Sequence, residues 1–442
     1  MRSGELPFTH PWEQGPIARY ADVIVGGTPS TEIPRFWGGE IKWMASGDIH
    51  LRNVFDVPGR ISEHGLAASN AVIVPPRAIA MALAGQGKTR GTVALTHISL
   101  CTNQSVALIK PRDERLDPDF LFQALIPRYE EMRSRSAGGG RAGLTKGIIE
   151  QTPIQVPAPI EQQRIAEILT TIDKAIEQTE ALIAKTQQIK AGLMHDLFTR
   201  GVTPDGQLRP PRSEAPQLYK ESPLGWIPKE WDADFLCNLA EIRTGIAKNA
   251  GRVFANPVTV QYLRVANVQD GFLDLSEMKT IQIESSDLDR YRVLPNDVLM
   301  NEGGDLDKLG RGAIWTNNEP CVHQNHVFVV RCGARILPAF LNAWTASPVA
   351  RRHFMVAGKQ TTNLASINKT SLGRLSVLVP PAPEQSLIAQ TIEALEKRLA
   401  SDAERLTKWR FTKQGLMHDL LTGVVRVPRT PALELAAEPS VV

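Results

Sequence analysis

Glu161-Gln162-Gln163-Arg164-Ile165 opens a stretch that closes on Gly192-Leu193-Met194-His195-Asp196-Leu197. The chain does this twice. The second copy opens on Glu384-Gln385-Ser386-Leu387-Ile388 and closes on Gly415-Leu416-Met417-His418-Asp419-Leu420. Both ends are displaced by 223 positions (384 − 161 and 415 − 192), so opening and closing motifs are equally spaced in the two copies. Between them Ile165, Leu169, Ile172, Ile176, Ile183, Leu193 and Leu197 recur in steps of three and four, with Thr179, Thr186 and Lys190 in the intervening slots. Ile388, Ile392, Leu395, Leu399, Leu406, Leu416 and Leu420 repeat that register, with Asp402, Trp409 and Lys413 in the polar slots. A seam of this period predicts two long helices, each packed lengthwise on another helix. Glycine inside a helix costs about 1 kcal/mol against alanine. Gly192 and Gly415 at one shared slot therefore predict a close backbone approach there.

Outward from these stretches the chain alternates. Residues 1–158 carry dense turn signals, Gly26-Gly27-Thr28-Pro29, Pro75-Pro76 and Gly138-Gly139-Gly140, between strand-like pieces such as Ala71-Val72-Ile73-Val74 and Thr92-Val93-Ala94-Leu95. Asp117-Pro118-Asp119 opens a helix expected to run to about Tyr129. Residues 159–200 form the first long helix, 201–222 a Pro-, Gly- and charge-rich linker, 223–380 a second globule, 381–422 the second long helix and 423–442 a tail expected to be disordered. The globules echo one another. Cys101-x-x-Gln104 matches Cys321-x-x-Gln324, and Gly91-Thr92-Val93-Ala94 matches Gly312-Ala313-Ile314-Trp315. Leu116-Asp117-Pro118 matches Ile336-Leu337-Pro338. This is a tandem duplication of an α+β globule and a helix.

Composition limits the function classes. Net charge is +3 with a sequence pI of 8.6, which permits an anionic partner without demanding one. The four cysteines, Cys101, Cys237, Cys321 and Cys332, are too scattered for a disulfide framework. No apolar run suits a membrane span and no signal peptide is visible, so a reduced cytoplasm is the expected location.

Catalytic motifs fail on context. Ala82-x4-Gly87-Lys88-Thr89 spells a P-loop, but the strand-like Gly91-Thr92-Val93-Ala94-Leu95 follows where a helix is required. Glu40-x-Lys42 after Asp22 resembles a nuclease set, yet Glu40-Ile41-Lys42-Trp43-Met44 alternates as a strand with an outward charged face. The repeated His195-Asp196 and His418-Asp419 lack the converging ligands a metal needs. No catalytic, metal or cofactor site is expected in this chain. Basic loops are better candidates for contact with phosphates: Lys88, Arg90, Arg133, Arg135, Arg141 and Lys146 in the first globule, and Lys308, Arg311, Arg351, Arg352 and Lys359 in the second. Gln360, Thr361, Thr362 and Asn363 could read base edges.

Two dissimilar globules alternating with two near-identical helices, each led by Glu-Gln after a Pro-rich segment and closed by Gly-Leu-Met-x-Asp-Leu, resemble the specificity subunit of type I restriction–modification systems. Gly26-Gly27-Thr28-Pro29-Ser30 and the entry Leu224-Gly225-Trp226-Ile227-Pro228-x-x-Trp231 add to the likeness, which covers nearly the whole chain. The resemblance implies two target-recognition domains, each reading half of a split DNA site in the major groove. It implies helices paired as an antiparallel coiled coil under an internal pseudo-twofold, acting as a ruler. Their seam and docking surface would involve Ile165, Leu169, Ile172, Ile176, Leu193, Leu197, Ile388, Ile392, Leu395, Leu399, Leu416 and Leu420. Two methyltransferase subunits supplying S-adenosylmethionine chemistry and a motor-nuclease subunit are the implied partners of a non-catalytic chain. A helix over 161–198 spans about 57 Å, at most roughly 17 base pairs, so half-sites one helical turn apart would fit. The alternatives are the specificity subunit of a system with different cleavage organisation, a helical scaffold that binds protein, and a P-loop NTPase.

Overall fold

A computed structural model describes residues 11–85, 87–135, 143–247, 253–304, 309–310, 312–360 and 365–427. It divides into two compact units, Met1–Glu180 with Glu404–Val442, and Ala181–Ala403. The long helices, Pro159–Thr199 and Ala382–Leu421, each give one half to either unit. The units therefore cut across the segment boundaries read from the sequence.

The first unit is built on a five-stranded sheet in the order Ala21–Val25, Val106–Pro111, Ile79–Ala82, Val93–Thr96, Asn53–Val54. Its central strands are buried on both faces, and their period of two separates two cores. Ile79, Met81, Val93, Leu95, Ala107 and Ile109 face a cluster shared with Phe120, Leu121, Ile165 and Leu169. Ala80, Ala82, Ala94, Val106 and Leu108 face a second cluster with Met44 and Ile49. A smaller sheet orders Arg60–Ile61, Trp37–Met44 and Cys101–Thr102, the last pair parallel.

The second unit repeats this plan. Ala240–Thr244, Val327–Cys332, Val298–Asn301 and Gly312–Ile314 stand in the same order. Lys279–Glu284, Pro257–Leu263 and Cys321–His323 form the smaller sheet, again with a parallel final pair. The echoes around Cys101 and Cys321 are thus equivalent strands. Burial pushes these thiols up, to about 11 at Cys101 and about 12 at Cys321, which leaves them protonated and inert. A side chain at Gly26 would overlap the Thr102 carbonyl, and one at Gly245 the carbonyl of His323. Glycine is required at both because the chain passes directly over the parallel strand.

Several expectations are corrected. The helix after Asp117 runs only over Pro118–Leu125; Pro127 falls in a 3-10 turn, and a new helix covers Tyr129–Arg135. Ala71–Val74 forms no strand, only a bridge from Val74 to Leu100. The 201–222 segment is part of the second unit: Val202 and Arg209 are buried, and Tyr219–Ser222 pairs with Gly225–Pro228. Its Pro and Gly content reflects turns, not slack. The tail begins ordered, with Arg426 ion-paired to Glu161 at 2.8 Å; residues 428–442 lie outside the described residues. An added Cβ at Gly192 or Gly415 meets nothing within 4 Å, so no close backbone approach explains these glycines.

Candidate nucleic-acid interface

Each long helix is seated by its opening Glu-Gln pair. In the first unit Gln162 is fully buried; its Oε1 accepts from Asp117 N at 2.8 Å and its Nε2 donates to Arg115 O and Pro157 O, both at 2.7 Å. In the second, Gln385 Oε1 accepts from Leu337 N at 2.8 Å and Nε2 donates to Arg335 O at 2.9 Å and Pro380 O at 2.8 Å. The glutamates act alike. Glu161 accepts from Arg426 Nη2 at 2.9 Å and Trp12 Nε1 at 3.2 Å. Glu384 accepts from Arg209 Nη2 at 3.0 Å, Trp231 Nε1 at 2.9 Å and Val202 N at 2.8 Å. A buried carboxylate is tolerated when paired and hydrogen-bonded in this way. The repeated motif therefore positions the globules.

The helical segments run antiparallel within each unit. In the first, Glu180 pairs with Arg410 at 2.7 Å, Asp173 with Lys413 at 2.6 Å and Glu161 with Arg426 at 2.8 Å. In the second, Lys190 pairs with Glu396 at 2.6 Å while Val202 reaches Glu384. Ile165, Leu169, Ile172, Leu197, Ile388, Ile392 and Leu420 are buried. Ile176, Leu193, Leu395, Leu399 and Leu416 are only half-buried, whereas Thr179, Thr186 and Asp402 are buried. The seam is apolar at its ends and polar toward its middle. His195 and His418 are exposed. In the first unit Ile126, Ile154, Ile176, Met417 and Leu421 line a cleft of about 990 Å3 with Arg128 and Arg410 at its edge.

The basic residues expected to meet phosphate divide into groups. Lys88 is exposed on the hairpin joining Ile79–Ala82 to Val93–Thr96, the antiparallel strand that rules out a P-loop here. Arg133 donates to Gly87 O at 2.6 Å and to the Tyr129 hydroxyl at 3.0 Å, which brings it to the same hairpin as Lys88 and Arg90. His50 Nε2 lies 3.3 Å from Thr89 Oγ1 in that group. Arg135 pairs with Glu131 at 2.8 Å and Lys146 with Glu150 at 3.6 Å, so their charge is partly offset. Arg352 is exposed, but Arg351 turns inward to an ion pair with Asp270. Its charge is partly offset by that pair, as at Arg135 and Lys146. Lys359–Gln360 is the edge strand of a small sheet in the order Gly303–Gly304, Ala365–Ser366, Lys359–Gln360. Arg141, Lys308, Arg311, Thr361, Thr362 and Asn363 lie outside the described residues. Asp22 pairs with Arg112 at 2.7 Å and Lys42 with Asp56, so the nuclease-like set does not converge.

Residues 10–188 match the model of the type I restriction modification DNA specificity domain. The MjaIX specificity subunit of a type I restriction enzyme from Methanocaldococcus jannaschii is 22% identical over 96% of this chain and 95% of its own length. The chain is thus similar to type I specificity subunits over nearly its whole length. The EcoKI specificity subunit of Escherichia coli strain K12 is 24% identical over 89% of this chain and 84% of its own. The crystal structure of a type I restriction-modification system S subunit from M. genitalium shares the fold, with a TM-score of 0.58 at 14% identity, covering 94% of this chain and 98% of that one. The two chains thus share one overall fold along nearly their whole lengths.

The residues that the sequence reading missed are Arg52, Asp173, Arg209, Trp231 and Glu396 in their seating roles. A signal existed for the helix pairs. Asp173 and Glu396 share the 223 offset, as do Lys190 and Lys413 (396 − 173 and 413 − 190), so opposite charges recur at matched positions.

Proposed function

We propose that each globule of this chain reads one half of a bipartite DNA site, that the paired helices set the spacer, and that they dock two methyltransferase subunits. The observation that carries this reading is the identical seating of two dissimilar globules by Gln162 and Gln385. One frame presenting two different surfaces is what a split, asymmetric site requires. The hairpin of Lys88, Arg90 and Arg133 supplies phosphate contacts in the first globule. The half-buried, polar middle of the helices and the cleft beside Met417 supply docking surface. The chain is read as non-catalytic, with S-adenosylmethionine chemistry on the methyltransferase and a motor-nuclease subunit joining for cleavage. No helix among the described residues is long and apolar enough to cross a membrane, and the cytoplasm is the proposed location.

Methylome sequencing of cells carrying this chain and its methyltransferase tests the proposal. A split motif with one fixed spacer is expected. Exchange of residues 1–158 for another such domain should change one half-site only; loss of both halves would contradict independent globules. A protein-binding scaffold would give no salt-dependent DNA affinity in the reconstituted complex.

A further inference from the structure

The two units seat their globules by different chemistry one step beyond the glutamine clasp. In the first, Arg52 ends a 3-10 turn in the left-handed region, with φ 58 and ψ −55. Residues bearing a Cβ seldom occupy that region and stay there when their surroundings over-determine them. The Arg52 carbonyl accepts from Leu95 N at 2.7 Å, and its side chain ties this turn to the helix. Nη2 donates to Asp173 Oδ2 at 2.9 Å, and the guanidinium lies 5.9 Å from the Phe122 ring centre. Gln123 Nε2 donates to the same carboxylate oxygen at 3.0 Å. Asp173 stands about 16 Å along the helix from Gln162. The globule is anchored at the start of the helix by Gln162 and by the apolar cluster it shares with Ile165 and Leu169, and the bonds to Asp173 add a polar anchor farther along that limits its pitch.

Among the described residues, the second unit shows no equivalent of the Arg52 tie. Asp48 caps Ala45 N at 2.9 Å, and Asn267 caps Arg264 N at 3.0 Å in the equivalent turn. The same displacement of 219 (264 − 45 and 267 − 48) carries Arg52 onto Gly271, which has φ +85. No atom lies within 4 Å of a Cβ placed there. Where an arginine would extend, a cavity of about 210 Å3 is lined by Lys190, Glu396, Asn342 and Arg351. This globule rests instead on apolar contact, with Phe198 edge-on to Trp344 at 5.1 Å and Phe340 at 5.8 Å.

We propose that Arg52 is a positioning residue: its strap to Asp173 fixes the pitch of the first globule on its helix, and through that pitch the spacing at which the first half-site is read. The second clause rests on the function proposed above; the seating does not. Spin labels at Glu63→Cys and Lys174→Cys, both exposed positions, in a Cys237→Ser background of the full chain measure the pitch directly. Arg52→Gly suits the backbone and removes the strap, so the inter-label distance distribution should broaden about twofold. Asp173→Asn, which keeps the volume and removes the charge, should broaden it in the same direction. An unchanged width in both variants overturns the strap. In cells, the Arg52→Gly chain should methylate the parent half-sites at more than one spacer. A single parent spacer despite broadened labels overturns the role in spacing. A parent chain that gives no split methylated site sinks the proposed function instead, with the label result still standing.

Discussion

Asp173 and Lys413, 240 positions apart in the chain, meet with Nζ 2.6 Å from Oδ1, both side chains nearly buried. Removing one partner leaves the other charge poorly compensated, whereas replacing both with apolar groups of similar size does not. Lys413→Met should cost about 2 kcal/mol, moderated by the remaining Arg52 contact. Asp173→Leu combined with Lys413→Met should cost less than the sum of the single changes. Urea unfolding of the four chains in the double-mutant cycle checks this; strict additivity would show the pair to be uncoupled.

Gln162→Ala and Gln385→Ala each strand one backbone N–H and two carbonyls in a buried site. Each should destabilise its own unit by about 2–3 kcal/mol. Hydrogen exchange resolves the units: Gln162→Ala should speed exchange in Pro118–Leu125, and Gln385→Ala in Pro338–Thr345. Equal acceleration in both helices from either change would contradict separate seats.

His323 is buried with Nδ1 2.6 Å from Val327 O, and burial pushes its pKa down to about 4. The imidazole is neutral in the fold, while the unfolded chain takes up a proton below about 6.5. The unfolded state therefore binds more protons between these values, so stability falls as pH drops from about 6.5 to about 4. The full loss is on the order of 3 kcal/mol. His323→Gln should flatten that limb of the stability curve. An unaltered acid limb in thermal melts would assign the pH dependence elsewhere.

Four residues added to each long helix, after Glu177 and at the matching point of the second, lengthen both by about 6 Å. Under the proposed function the spacer should grow by about one to two base pairs with unchanged half-site bases. Methylome sequencing reads both. New half-site bases with the parent spacer would end the ruler reading.

The duplication, the long helices and the two-globule order were legible in the sequence because they rest on periodicity and on repeats at one offset. Asp117 as a helix cap was legible for the same local reason. What escaped was whatever depends on partners distant in sequence. Lys190 and Lys413 looked like polar slots because Glu396 and Asp173 become their neighbours only when the segments pair. The ion pair of Arg351 with Asp270 was hidden because the two are 81 positions apart. Pro and Gly in 201–222 suggested a linker, whereas their turns aim Arg209 and Val202 at Glu384.

The glutamine clasp grips main-chain atoms alone: an amide at Asp117 or Leu337, and carbonyls at Arg115 and Pro157 or Arg335 and Pro380. Such a socket is blind to the identity of what it holds. Under the proposed function, an exchanged globule would need to offer this joint only one amide and two carbonyls in the right places, whatever side chains it carries.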